Sequence, residues 1–224
     1  MGVRRRAARA QRMTALDPAV RAALARELLD ALAAYCPGSR TRLRGSLASG
    51  TADAYSDIDL EWTVPGDRFA HCVDTAAVAL GRVRPLASLR VDPESAAAMG
   101  ERLLFAAFRG LPLFWRLDLS VRAEPAGSAT VPAAPATAWS PAASALANAV
   151  ATVKMLRRGR PDVARGLLTR GLARVGAPDH LTDGALADVL RLTAAAVACD
   201  PSQAGLAAAV SALAESGCAP EGGS

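Results

Sequence analysis

The chain has 224 residues and is 51% hydrophobic, which is enough to bury a core in one large or two small domains. Its formal charge of +5 is carried by five arginines between residues 4 and 12, so the rest of the chain is close to neutral and a nucleic-acid partner is not expected. No apolar run reaches the length of a membrane span or of a secretory signal, so we expect a cytoplasmic protein without membrane contact.

The first half of the sequence alternates between helical and strand patterns. Residues 1–13 are expected to form a disordered basic tail. A first helix is predicted from Pro18 to Tyr35, with Asp17 as its N-cap. Beyond the motif described below, the pattern predicts helices over 67–80 and 94–99 and strands over 83–91, 103–108 and 113–121. This alternation predicts the class α/β (α+β), with a mixed sheet and flanking helices over residues 14–122.

The second half of the sequence changes in character. Residues 123–139 are rich in alanine and proline, and we expect them to form a linker. The following segments are predicted to be helical: 141–158, 161–175, 183–199 and 201–215. Residues 140–217 are therefore predicted to form a C-terminal all-α helical bundle domain, and residues 218–224 a flexible tail.

Two carboxylates on one strand face are the clearest chemical signal. Side chains alternate along a strand, so Asp57 and Asp59 share one face while Ile58 and Leu60 enter a core. Unit charges about 4 Å apart repel by roughly 4 kcal/mol at an effective dielectric constant near 20, so a cation is needed between the carboxylates. An arginine could serve, but oxygen donors at this spacing suit Mg²⁺ shared with substrate phosphates.

Further polar residues complete this candidate site. The turn at Gly45-Ser46 can offer backbone N–H groups and a hydroxyl to phosphate oxygens. Leu117 and Leu119 predict a second strand with Asp118 on its polar face, which makes Asp118 the best third carboxylate. Asp92 is a weaker candidate because a proline follows it, and Asp-Pro favours a turn.

These elements together resemble a known enzyme superfamily. A Gly-Ser pair, ten intervening residues, Asp-Ile-Asp and a later apolar-Asp-apolar strand resemble the DNA polymerase β-like nucleotidyltransferases. Within that superfamily, the chain resembles the small bacterial antibiotic nucleotidyltransferases of the aminoglycoside and lincosamide type. The resemblance implies that Asp57 and Asp59 bind two Mg²⁺ ions, that Asp118 shares the catalytic metal, and that Gly45 and Ser46 hold the β- and γ-phosphates.

Two basic residues are candidates for additional nucleotide contacts. Many relatives carry basic residues just after Gly-Ser, where this chain has Leu47 and Ser49, so Arg44 is a possible substitute. Lys154 is the only lysine in the chain and lies on the first helix of the predicted helical domain. Several relatives place a basic residue of that domain against the phosphates.

The reaction implied by the resemblance has a donor and an acceptor. A nucleoside monophosphate passes from an NTP, with ATP the expected donor, to a hydroxyl of a small antibiotic-like or specialised-metabolite acceptor, and pyrophosphate is released. Such a reaction serves antibiotic resistance or biosynthesis. Two alternatives stay open: transfer to a protein or tRNA, as in toxin–antitoxin nucleotidyltransferases, and a non-catalytic nucleotide-binding regulator.

Overall fold

The computed structural model describes residues 16–92, 95, 100–124 and 140–216. The chain divides into two compact units, with the division between Trp139 and Ser140. Both predicted tails lie outside the described residues. The helix expected over 94–99 and the linker expected over 123–139 also lie almost wholly outside them.

Four helices, named α1 to α4, lie in the described part of the first unit. They are α1 (Pro18–Tyr35), α2 (Gly45–Ser49), α3 (Phe69–Asp74) and α4 (Ala76–Gly81), with a 3₁₀ turn at Gly66–Arg68. The predicted start of α1 is confirmed, since Asp17 accepts a 2.8 Å hydrogen bond from the N–H of Ala19. The single helix predicted over 67–80 is wrong. Its two halves separate at Thr75, whose hydroxyl donates to the His71 carbonyl at 2.6 Å.

Five strands of the first unit form one mixed sheet, in the order β1-β2-β5-β4-β3. Their bounds are β1 (Arg40–Leu43), β2 (Ile58–Val64), β3 (Leu86–Val91), β4 (Glu101–Phe108) and β5 (Leu117–Ala123). Strands β2 and β5 are parallel, and the other neighbours are antiparallel. Strand β5 begins later than predicted because a turn precedes it, in which Trp115 N–H donates to the Pro112 carbonyl at 2.9 Å.

The core of this unit lies between one face of the sheet and helices α1, α3 and α4. Strand register aligns Leu60, Leu119 and Leu104 across β2, β5 and β4, and all three are at most 1% exposed. Leu28 of α1 and Phe69 of α3 belong to the same buried cluster. Because strand side chains alternate, the polar residues between these leucines lie on the opposite face.

Arg21 ties α1 to the loop that leads into β2. Its buried guanidinium donates to the carbonyls of Asp53 at 2.5 Å and Ser56 at 3.2 Å. Since hydrogen bonds to charged groups contribute about 1.5–3 kcal/mol each, we expect Arg21→Ala to lower the free energy of unfolding by about 3 kcal/mol in urea denaturation. The control, Arg26→Ala on the exposed side of α1, should change it by less than about 0.5 kcal/mol. Equal losses would contradict this anchoring role.

The described part of the second unit contains helices joined by loops and turns, without a strand. It contains α5 (Pro141–Arg157), α6 (Pro161–Arg174), α7 (Ala185–Cys199) and α8 (Ala204–Glu215), with a 3₁₀ turn at Pro201–Gln203. Helix α5 is capped by Ser140, which accepts from Ala143 N–H at 3.1 Å, and it packs against the other three helices. The predicted helix positions are confirmed to within a few residues. Among the described residues of both units, none of the helices combines the length and apolarity of a membrane span.

Candidate functional site

The face of the sheet opposite the core brings two predicted carboxylates together. The parallel register of β2 and β5 sets Asp59 directly beside Asp118. Phe105 of β4 is the next neighbour of Asp118, and Arg90 of β3 is the next neighbour of Phe105. Arg90 also lies over the Phe105 ring, 4.4 Å from its centroid. The four residues form one row across the sheet.

Asp57 joins this pair from the loop before β2. The predicted alternation is confirmed: Ile58 and Leu60 are fully buried in the core, whereas Asp57 and Asp59 are half-buried. The negative charges of Asp57, Asp59 and Asp118 all raise the pKa of one neighbouring arginine. We call these three residues the carboxylate cluster.

That neighbour, Arg116, is the cation that the structure places beside the carboxylate cluster. Its Nε donates to Asp118 Oδ1 at 2.6 Å and its Nη2 donates to Oδ2 at 2.7 Å, a bidentate pair. The guanidinium also lies over Phe105, 4.7 Å from the ring centroid. Burial lowers the pKa of Arg116, but the hydrogen bonds and charge of Asp118, with the charges of Asp57 and Asp59, outweigh it and leave that pKa raised.

The Gly-Ser element lies immediately beside Asp59. Arg44 N–H donates to the Asp59 carbonyl at 2.8 Å, and α2 begins at the next residue. Gly45 has φ +54°, and a Cβ built on it would lie only 2.9 Å from Asp59 Cγ. Glycine is therefore required here both for its backbone conformation and for the close approach of the carboxylate. Ser46 follows as a half-buried residue of α2.

A second charged group lies farther along the same face. Glu61, two residues beyond Asp59, has a side chain only 6% exposed. Its carboxylate lies 2.7 Å from Arg42 Nε, 3.5 Å from Arg44 Nη1 and 3.7 Å from Arg122 Nη1. We call Arg42, Arg44 and Arg122 the arginine group. Arg122 was not predicted as a site residue, although its spacing of four residues from Asp118 places it on the polar face of β5.

Glu61 makes stability depend on pH. The hydrogen bond from Arg42 lowers the pKa of Glu61 below its ordinary value of 4.5, burial opposes this, and the charges of the arginine group add to the lowering. A depressed folded pKa gives a stabilisation that is complete above pH 4.5 and is lost as the pH falls through the folded value. We expect Glu61→Gln to lower the free energy of unfolding by about 2 kcal/mol at pH 7, with the difference narrowing in acid.

Urea denaturation over a pH series measures this effect. The exposed Glu27→Gln on α1 is the control and should change stability little at any pH. A difference between the wild-type chain and Glu61→Gln that stays constant from pH 7 to pH 3 would contradict the linkage.

The remaining predicted residues, Asp92 and Lys154, do not belong to β2, β5 or the Gly-Ser element. Asp92 directly follows β3, and its Oδ2 accepts from Ser95 N–H at 3.2 Å. Lys154 lies on α5 of the second unit and is 6% exposed. Its contact with a nucleotide stays a prediction.

The chain matches no protein-family model, and no curated protein matches it.

Within the described ranges, no group of three or more His, Cys, Asp or Glu side chains is arranged to hold a metal. Both oxygens of Asp118 accept hydrogen bonds from Arg116 instead. Carboxylate oxygens are the donors that Mg²⁺ prefers, and three aspartates beside one guanidinium leave a net negative charge.

Proposed function

We propose that the chain is a Mg²⁺-dependent nucleotidyltransferase. It moves a nucleoside monophosphate from an NTP, with ATP the expected donor, to a hydroxyl of a small acceptor and releases pyrophosphate. The observation that carries the proposal is the close approach of the Asp59 carboxylate to Gly45, where a built Cβ would lie 2.9 Å from Asp59 Cγ, together with the position of Asp59 beside Asp118. Backbone at the start of a Gly-Ser turn and two aligned carboxylates meet at one point, a combination that suits a polyphosphate with its cation.

Each residue of the site has a proposed part in the reaction. Asp57, Asp59 and Asp118 would hold two Mg²⁺ ions, which when bound stabilise the attacking and leaving oxygens. Gly45 and Ser46 bind the β- and γ-phosphates through backbone N–H groups and the hydroxyl. Asp118 accepts the proton of the acceptor hydroxyl.

The finer architecture and the acceptor belong to the same proposal. The first unit is proposed as the nucleotidyltransferase domain and the second as its accompanying helical bundle domain. The polar face of the mixed sheet supports the first assignment, because it collects the carboxylate cluster and the arginine group. A small antibiotic-like or specialised-metabolite acceptor is supported by the resemblance in the Gly45 to Leu60 segment.

Product analysis tests this function. The full chain is incubated with Mg²⁺, each NTP labelled at the α-phosphate, and acceptors that include aminoglycosides, lincosamides, tRNA and a protein mixture. We expect one small molecule to gain the mass of one nucleoside monophosphate, with an equal amount of pyrophosphate and no product in EDTA. Transfer to tRNA or protein would overturn the acceptor class, and NTP binding without any product would favour the regulator and overturn the enzyme.

We expect Arg116 to compete with a metal ion for the carboxylate cluster, because its guanidinium already binds both oxygens of Asp118. Arg116→Gln removes the positive charge that Asp118, Asp57 and Asp59 share, so the cluster becomes more attractive to a divalent cation. We expect the variant to bind Mn²⁺, a spectroscopic substitute for Mg²⁺, about tenfold more tightly in the absence of nucleotide. Electron paramagnetic resonance of free Mn²⁺ measures this affinity. The control is Arg84→Gln, an exposed arginine before β3, and weaker or unchanged binding by Arg116→Gln would contradict the competition.

A further inference from the structure

Two groups of opposite net charge lie next to each other on the polar face of the sheet. The first is the carboxylate cluster, in which three carboxylates act on the single guanidinium of Arg116. The second is the arginine group, in which three guanidinium groups face two carboxylates, Glu61 and Glu101. In the register of β2 and β5, the pair Glu61 and Ser120 lies two residues farther along the strands than the pair Asp59 and Asp118. Same-face neighbours along a strand are about 6.6 Å apart, so the two groups are close enough for one elongated ligand.

Glu61 attracts two of the three arginines by charge but accepts no direct hydrogen bond from either of them. The third arginine, Arg42, lies with its Nε 2.7 Å from Glu61 Oε1, which is a direct hydrogen-bonding distance. The other oxygen, Oε2, is buried and has no hydrogen-bond partner within the described part of the chain. Arg44 Nη1 and Arg122 Nη1 approach it at 3.5 and 3.7 Å, which are distances of ionic attraction rather than direct hydrogen bonds.

Arg44 and Arg122 therefore converge on one buried oxygen, while part of each side chain stays exposed. Both side chains are 45% exposed, and both lean towards the same buried oxygen from different strands or strand ends. Arg122 Nη2 has a further carboxylate, Glu101, at 3.7 Å, again beyond direct hydrogen-bonding distance. A planar guanidinium offers paired N–H donors that match phosphate oxygens, and an anion between two such groups would gain charge-assisted hydrogen bonds.

We propose that Arg44 and Arg122 form a binding site for the outer phosphates of the donor nucleotide and for the pyrophosphate that leaves. The inference rests on the proposed function and extends it to Arg122 and to the direction of the donor. The polyphosphate runs along β2 and β5, from the carboxylate cluster towards the arginine group. Glu61 is a positioning residue for this site, because it holds both guanidinium groups without occupying their hydrogen bonds.

Binding of inorganic tripolyphosphate in EDTA tests the site without any metal ion or nucleobase. In isothermal titration calorimetry, we expect Arg122→Gln and Arg44→Gln each to weaken binding at least about tenfold relative to the wild-type chain. Arg40→Gln is the matched control, since Arg40 lies on β1 with a side chain 73% exposed and pairs with Glu124 at 2.5 Å. It should remain within about twofold of the wild-type affinity.

A charge-conserving variant separates anion recognition from a loss of folding. Arg122→Lys keeps the positive charge but not the planar pair of donors, so it should bind tripolyphosphate with intermediate affinity. Circular dichroism of each variant checks that the fold persists.

The failure of this site and the failure of the proposed function give different results. The phosphate site would be overturned if the wild-type chain did not bind tripolyphosphate. It would also be overturned if the wild-type chain, Arg122→Gln, Arg44→Gln and Arg40→Gln all bound it with equal affinity. Nucleotide transfer could still be measured in either case. A selective loss in Arg122→Gln and Arg44→Gln, together with no transfer to any acceptor, would support the anion site and overturn the nucleotidyltransferase.

Discussion

Asp59→Asn and Asp118→Asn are each expected to lower the rate of nucleotide transfer about 10³-fold or more. Each substitution keeps the shape of the side chain but removes a negative charge from the point where β2 and β5 align their carboxylates. Metal-ion stabilisation of transition-state charge supplies several kcal/mol, and about 4 kcal/mol corresponds to a 10³-fold change in rate. Initial rates of pyrophosphate release with saturating NTP measure the loss.

The control for this experiment is an aspartate that lies away from the site. Asp30 is exposed on α1, so Asp30→Asn should retain the wild-type rate within about twofold. Thermal unfolding of all three variants shows whether a rate loss comes from unfolding. Full transfer activity in folded Asp59→Asn would contradict the assignment of the carboxylate cluster to catalysis.

Gly45→Ala is expected to disturb the site almost as strongly, through a single methyl group. The new Cβ would lie 2.9 Å from Asp59 Cγ, and the backbone at φ +54° is disfavoured for any residue with a Cβ. We expect the rate of transfer to fall about 100-fold or more as Asp59 is displaced, and the free energy of unfolding to fall by about 1–3 kcal/mol. Initial rates and urea denaturation give the two quantities.

Gly50 provides a closely matched control at the other end of α2. Its φ of +72° is also left-handed, but apart from its chain neighbours no atom of the described residues lies within 4 Å of a Cβ built there. Gly50→Ala should therefore cost about 1–2 kcal/mol of stability through backbone strain alone and leave the rate nearly unchanged. Equal rate losses in the two variants would show that the contact with Asp59 has no special importance.

Features with a local physical cause were predictable from the sequence. The start of α1 follows from Asp17 and Pro18, which satisfy or remove the unpaired N–H groups at a helix start. The alternation of Asp57, Ile58 and Asp59 follows from strand geometry. The four helices after Ser140 follow from apolar periodicity and from the glycines and prolines between them.

Features that depend on pairing between distant segments were not predictable in the same way. The register that sets Asp59 beside Asp118 arises from the packing of leucines from β2, β5 and β4 in one core, which a single sequence does not specify. The convergence of Arg122 on Glu61 depends on the same register. Arg116 lies two residues before Asp118, a spacing that favours the same face, but its bidentate contact with Asp118 depends on the turn before β5.

The parallel pairing of β2 and β5 has a consequence for cooperativity. Strands β3 and β4 lie between them in the sequence, so the two carboxylates become neighbours only when a large part of the first unit is folded. In a partly unfolded chain that has lost the pairing of β2 with β5, the two aspartates are no longer neighbours. The proposed cation binding should therefore be lost in one all-or-none step with the sheet and should not decline gradually as individual helices fray.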